Sequence, residues 1–364
     1  MEPWLGKGKR IANWGPGAKN ILFFPLTLLS FVFLMAVFLR VFLYRAGIFT
    51  TQKLNCKVVS VGNLTVGGTG KTPLILAMAK QFRDLGERVV VISRGYKGRK
   101  KEKITIASQG DGPLVSWEEV GEEPFLLADR CEGVPVLVGK NRYEVGRFAL
   151  ENFRPTVILL DDGFQHLKLF RDLNVLLIDC TAPFGNGYLL PRGPLREPLS
   201  HIKRASAIVF SRVSQSKNLQ QIKQKIEPWI EEKPVFHLNF FPMGFVSIGT
   251  KKEEDLTLVK GKKILAVSGI GNPFNFHQTL LKLGPQEVLE KVFPDHYFYS
   301  RRDFKKILDA GKGMDCIITT EKDGVKLERF LGKGSSLWAL RIEGRITEGE
   351  EWMDFLTKNN HGFE

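Results

Sequence analysis

The stretch "VGNLTVGGTGKTP" at residues 61–73 restricts what this chain can fold into more than any other. It joins a glycine-rich turn to Gly-Lys-Thr, the residues with which P-loops hold the phosphates of a nucleotide. The first glycine of the usual G-x-x-x-x-G-K-[ST] pattern is replaced, so the loop reads Thr65, Val66, Gly67, Gly68, Thr69, Gly70, Lys71, Thr72. The physical requirement is still met. Gly67, Gly68 and Gly70 let backbone N–H groups converge on oxygen anions, and the helix N-terminus beyond them adds its positive dipole end. Lys71 then reaches the β- and γ-phosphates, and the Thr72 hydroxyl serves Mg²⁺. "KVVSVG" (57–62) reads as a buried strand, and "PLILAMAKQFRDLG" (73–86) as a helix with Pro73 in its first turn.

Similar apolar runs recur. "RVVVISRG" (88–95), "TVILLDDG" (156–163), "NVLLIDC" (174–180) and "SAIVFSRV" (206–213) read as strands separated by helical stretches. That alternation predicts an α/β fold: a P-loop NTPase-like parallel sheet with helices on both faces. Ligands in such sheets bind beyond the C-terminal strand ends, where this chain places the P-loop, Asp161-Asp162 and Asp179. A second, smaller α/β unit is expected over 239–342, from "KKILAVSGIGNP" (262–273), the Ser-x-x-Asp cap opening "SRRDFKKILDAG" (300–311), and "DCIITTEKD" (315–323). The aromatic run 233–248 reads as a connector into it. The P-loop unit then covers 46–238, and 343–364 is a C-terminal helix with a frayed end.

Before the P-loop stands "ILFFPLTLLSFVFLMAVFL" (21–39), without a formal charge. It is too long for a secretory h-region and lacks a small-residue cleavage site after it. It is long enough to cross a bilayer, and equally suited to lie in the interface. Lys7, Lys9, Arg10 and Lys19 precede it, and Arg40, Arg45, Lys53 and Lys57 follow, so charge does not set an orientation. Residues 1–45 are therefore expected to attach the protein to a membrane. The net charge of +14, from 53 basic and 39 acidic side chains, suits an anionic membrane surface or phosphorylated substrates. A basic loop at 97–104 offers the same contact. No zinc-finger spacing or RNA-binding aromatic signature points to nucleic acid. Cys56, Cys131, Cys180 and Cys316 form no C-x-x-C pair and are expected to be reduced and structural.

Four apolar residues followed by Asp161-Asp162 form a Walker-B-like element, whose carboxylate at a strand end can hold the Mg²⁺ of a nucleoside triphosphate. "TEKD" (320–323) has the wrong order for a guanine-recognition motif. The histidines show no zinc-ligand spacing.

These blocks, with "SRGYKGR" (93–99), "GEEPFLLA" (121–128), "DDGFQH" (161–166), "FGNGYLLPRGPLREP" (184–198), "SGIGNP" (268–273), "FPDH" (293–296) and "TEKDGVK" (320–326), occur in an order that resembles the tetraacyldisaccharide 4′-kinase (lipid A 4′-kinase) family over residues 56–330. The resemblance implies ATP-dependent phosphorylation of the 4′-hydroxyl of a tetraacylated glucosamine disaccharide 1-phosphate, with ATP as co-substrate and Mg²⁺. It places the work at the cytoplasmic face of the inner membrane, because the acyl chains of the acceptor stay in the bilayer. Family members usually carry Gly-Asp-Glu-Pro, whose Asp is read as the catalytic base. Here Glu122 takes that place, with one extra methylene, and Glu123 follows. The catalytic set implied is Glu122, His296 of "FPDH", Lys71 and Asp162. Metal ligands are expected at Thr72, Asp161 and Glu123. Arg94, Tyr96, Gln165, His166, Arg192, Arg196 and Glu197 are expected on the acceptor's sugar and phosphate, since Arg forks match phosphate oxygens. Glu197 is expected to orient Arg196 or a sugar hydroxyl. The partners implied are the lipid A precursor and inner-membrane lipids, with no obligatory protein. The runner-up is a membrane-attached P-loop ATPase switch that recruits a protein, which predicts hydrolysis without a lipid product.

Overall fold

A computed structural model describes residues 24–99, 102–216, 218–230, 232–331 and 337–358. The basic residues Lys7, Lys9, Arg10 and Lys19, part of the basic loop (Lys100 and Lys101) and the end of the C-terminal tail lie outside the described residues.

The apolar segment forms helix α1 (Phe24–Arg45). One stripe of it packs on the protein body. Ser30 Oγ donates to the Leu189 carbonyl at 2.8 Å and accepts from the Arg192 N–H at 3.1 Å. The Arg192 guanidinium donates to Thr27 Oγ1 at 2.7 Å, and Arg40 to the Gln165 carbonyl at 2.8 Å. Phe24, Leu28, Phe31, Met35, Leu39 and Phe42, spaced three or four apart on another stripe, are each more than half exposed.

Next come β1 (Lys57–Asn63), α2 (Lys71–Asp84), β2 (Val89–Ser93), β3 (Ile104–Ser108), α3 (Trp117–Val120), α4 (Glu122–Arg130), β4 (Val136–Gly139), α5 (Arg142–Phe153), β5 (Val157–Asp161), β6 (Leu173–Asp179), β7 (Ala207–Ser211) and α6 (Leu219–Ile230). The C-terminal part holds β8 (Val235–Ser247), β9 (Glu253–Glu254), β10 (Lys263–Ser268), α7 (Pro273–Leu281), β11 (Glu287–Val292), α8 (Arg301–Ala310), β12 (Cys316–Thr320), α9 (Glu321–Leu327), β13 (Leu337–Ile346) and α10 (Gly349–Lys358). Among the described residues the strands form one sheet in the order β11-β10-β12-β13-β8-β7-β6-β1-β5-β2-β4-β3, with β9 on β8. Its pairs are parallel except β3/β4, β8/β13 and β8/β9.

Strands β1, β2, β5, β6 and β7 are buried along their whole length, as a parallel sheet covered on both faces requires. Leu74, Met78 and Phe82 of α2 and Trp352 of α10 pack on one face, Val145 and Ala149 of α5 on the other. The run 233–248 is more than a connector. As β8 it pairs parallel with β7 through Val235–Leu238 and then antiparallel with β13 up to Ser247, so a single strand carries the sheet from the P-loop half into the C-terminal half. Helix α2 starts at Lys71, two residues before the sequence suggested, because Gly70 turns the chain into it with φ of 95°. Ser300 and Asp303 form the expected capping box of α8. The four cysteines are buried free thiols.

Candidate active site

The loop after β1 is braced from several sides. Asn63 Nδ2 donates to the Thr65 carbonyl at 2.8 Å, and the Ser211 hydroxyl at the end of β7 to the Thr69 carbonyl at 2.8 Å. Arg212 donates to the Gly68 carbonyl at 3.3 Å while pairing with Asp179. The strand-end carboxylate of Asp179 is thus used to hold the loop. Lys71 is buried, with Nζ 3.4 Å from Asn63 Oδ1 and 3.5 Å from Asp162 Oδ1. Gly70 has no room for a side chain, since a Cβ there would stand 2.4 Å from the Phe240 ring.

Asp161 and Asp162 point in different directions and behave differently. Asp161, the last residue of β5, is buried and accepts from the Ser93 hydroxyl at 2.8 Å through Oδ2, while its buried Oδ1 has no protein partner. Burial, with Glu123 and Asp162 nearby, pushes its carboxyl up to about 6. Asp162 takes a left-handed conformation, φ 51°, and sits between Arg196 (2.7 Å) and Lys71. Burial opposes its ionisation, but Lys71 and Arg196 hold it down to about 2. A buried carboxylate oxygen left without a partner beside Lys71 is what a divalent cation would satisfy.

Opposite stands the N-terminus of α4. Glu122 is 5% exposed, with Oε2 3.2 Å from His296 Nδ1 and 3.8 Å from Lys322 Nζ. Lys322 also pairs with Glu123 at 3.1 Å and lies 3.2 Å from His296 Nε2. An ammonium can only donate, so Nε2 is the accepting nitrogen and the His296 proton sits on Nδ1, facing Glu122. Burial by itself would raise the Glu122 carboxyl, yet His296, Lys326 and Lys322 hold it below the ordinary range. Glu123 is likewise held low against burial by Lys322 and Lys71.

These groups share one cleft of about 870 Å³, walled by Lys71, Asp161, Asp162, Glu122, Glu123 and His296. Arg94, Tyr96, Gln165, His166, Arg196 and Glu197 also line it. Burial and the nearby Arg142 and Arg171 push the His166 imidazole down to about 3, so it is neutral. Phe33, Ala36, Val37 and Arg40 of α1 close the far side, so the cleft runs from carboxylates to an apolar wall. A smaller cavity of about 230 Å³ adjoins it across the P-loop, between Phe240 and Arg212 on one side and Gly271, Asn272 and Asn275 on the other. The glycine-rich turn "SGIGNP" therefore faces the P-loop directly.

Two expected residues are placed otherwise. Arg192 is not on the cleft wall; it is bonded to Thr27 of α1 and stacks on Tyr188, 3.6 Å from the ring centroid to its guanidinium carbon. Glu197 does not orient Arg196, which is taken by Asp162. It is buried against His201 at 3.2 Å and Arg204. Arg142 was missed by the sequence reading; its buried guanidinium at the start of α5 lines the cleft near Asp161 and Asp162. It belongs to no motif and stands three residues past the end of the apolar strand β4. Lys322 and Lys326 were visible only as letters of "TEKDGVK".

A family model described as tetraacyldisaccharide-1-P 4′-kinase matches residues 22–360. The tetraacyldisaccharide 4′-kinase of Desulfatibacillum aliphaticivorans is 38% identical over 341 residues, 91% of each chain. That of Syntrophus aciditrophicus is 40% identical over 331 residues, 88% of each. Among solved structures, LpxK from Aquifex aeolicus in complex with ATP superposes with a TM-score of 0.73 at 33% identity, covering 93% of this chain and 98% of that one. The chain belongs to the tetraacyldisaccharide 4′-kinase family.

Proposed function

From that membership, we propose that the chain transfers the γ-phosphoryl group of ATP to the 4′-hydroxyl of tetraacyldisaccharide 1-phosphate, giving lipid IVA in lipid A biosynthesis. The observation that carries the reading is the single cleft in which the P-loop lysine and the strand-end aspartates face the Glu122–His296 pair, with an apolar helix as its far wall. Residues 65–72 cradle the phosphates, and Lys71 neutralises charge on the transferring group. Asp161, whose Oδ1 needs a partner, would hold Mg²⁺ with Thr72 and Glu123. When bound, Mg²⁺ supplies a positive charge to the β- and γ-phosphate oxygens. Asp162 keeps Lys71 and Arg196 aimed into the cleft. Glu122 takes the proton of the 4′-hydroxyl as its oxygen attacks the γ-phosphorus and ADP departs. His296 orients Glu122 through its Nδ1–H. Arg94, Tyr96, Gln165, His166, Arg196 and Arg142 bind the sugar and phosphate of the acceptor. The two halves, 46–238 and the part from 239 through the end of β13 at Ile346, act as domains that close over ATP and exclude water.

The exposed stripe of α1 supports attachment at the cytoplasmic face of the inner membrane, where ATP would meet the lipid. Thr27 to Val41 runs along the protein body for about 21 Å at 1.5 Å per residue, which supports a helix lying in the interface over one crossing the bilayer.

The test is label transfer from γ-labelled ATP into the lipid in detergent, with Mg²⁺. Wild type labels the lipid and Lys71→Ala does not. Glu122→Gln slows transfer by about 10²- to 10⁴-fold, the range for loss of a general base. Full-rate transfer by Glu122→Gln would move the base elsewhere, and release of inorganic phosphate alone by wild type would favour the switch.

A further inference from the structure

The start of α9 and its cap (Thr320, Glu321, Lys322) line the smaller cavity across the P-loop, but Asp323 and Lys326 further along line neither cavity, and α9 packs on the helix that carries Glu122. Its Lys326 is fully buried, a placement an ammonium tolerates only when paired. Its Nζ lies 2.9 Å from Asp323 Oδ1 and 3.4 Å from Glu122 Oε1, with the Tyr299 ring centroid 5.3 Å away. Asp323 is itself fixed. Its Oδ2 accepts from the Gly269 N–H and the Thr320 hydroxyl, both at 2.8 Å, and its Oδ1 from the Tyr299 hydroxyl at 3.1 Å. The Gly269 carbonyl in turn accepts the His296 N–H at 3.1 Å. One buried node therefore reaches both members of the Glu122–His296 pair. The two oxygens of Glu122 have separate charged neighbours: Lys326 Nζ 3.4 Å from Oε1, His296 Nδ1 and Lys322 Nζ 3.2 and 3.8 Å from Oε2.

We propose that Lys326 is a positioning residue for the phosphoryl transfer: anchored by Asp323, its ammonium fixes Oε1 of Glu122 and so aims Oε2 at the acceptor hydroxyl. This rests on Glu122 being the proton acceptor. Lys326 lines neither the cleft nor the smaller cavity across the P-loop, so its effect passes through Glu122. Misplacing a reacting group by an ångström lowers rates by about 10²-fold.

The experiment is a double-mutant cycle on the full chain with ATP, Mg²⁺ and tetraacyldisaccharide 1-phosphate. Lys326→Met should lower kcat by about 10²-fold with KM for ATP unchanged, and Lys326→Arg should recover part of the loss. In a Glu122→Gln background Lys326→Met should cost nothing further, because there is no base left to aim. A further loss in that background equal to the loss in wild type would overturn the proposal. If the single variant fails to fold with Asp323 left unpaired, Lys326→Met/Asp323→Asn removes both buried charges together and enters the same cycle. A crystal structure of either variant needs no acceptor. Glu122 turned away from His296 supports the positioning role, and an unchanged Glu122–His296 contact overturns it. The absence of lipid phosphorylation by wild type would refute the acceptor assignment separately.

Discussion

Gly121, one residue before Glu122, has φ of 94°, and a Cβ on it would stand 2.4 Å from the Tyr96 carbonyl oxygen. The loop 94–97, which lines the cleft, and the start of α4 can therefore meet only over a glycine. Gly121→Ala forces one of them to move. The strain is about 1–3 kcal/mol, and the expected outcome is a lowered unfolding midpoint together with a fall in kcat, read by thermal melting and by transfer rate. A melting loss with unchanged kcat would mean that Glu122 does not depend on this contact. Residues of this kind set the limit of what the sequence shows. Lys71, Thr72, Asp161 and Asp162 were legible because each stands at a fixed offset from a strand and a glycine turn. His296 and Glu122 were legible through the resemblance alone. Arg142 and Lys326 were not legible, because their roles arise from contacts between elements far apart in the chain.

Among the elements, α1 joins two demands on one helix. Its polar side chains Thr27, Ser30 and Arg40 bond to the body, while Leu28, Phe31 and Met35 face outward. Replacing those three with glutamine removes apolar area worth about 1.5–3 kcal/mol per side chain in a lipid setting. The expected result is loss of sedimentation with vesicles while ATP binding persists. Retained sedimentation would place the membrane contact on another surface. The apolar run itself was plain in the sequence; which stripe docks was not, since apolar residues occupy both. Strands β1, β2, β5, β6 and β7 were legible as short apolar runs between helical stretches. Edge strands β3 and β11 were not, because both interrupt their apolar residues with polar ones and β11 is largely exposed. The 13-residue β8 looked like a connector because it changes partner midway, parallel to β7 and then antiparallel to β13.

Across the whole molecule a continuous sheet sets the P-loop half beside the C-terminal half, and ion pairs cross between them in and around the site. Lys322 reaches Glu123, Arg130 reaches Glu321 and Arg329 reaches Glu118. The Glu122–His296 pair is thus assembled from both halves, and the fold brings the P-loop, that pair and an apolar wall to one place. The reaction follows from that assembly and can be read from its product. Wild-type protein, ATP and Mg²⁺ are incubated with tetraacyldisaccharide 1-phosphate, and the lipid is analysed by mass spectrometry and by NMR of the sugar ring. The account predicts a lipid carrying one added phosphate on the 4′-oxygen, formed in step with ADP. An unmodified lipid beside accumulating ADP and inorganic phosphate would contradict it.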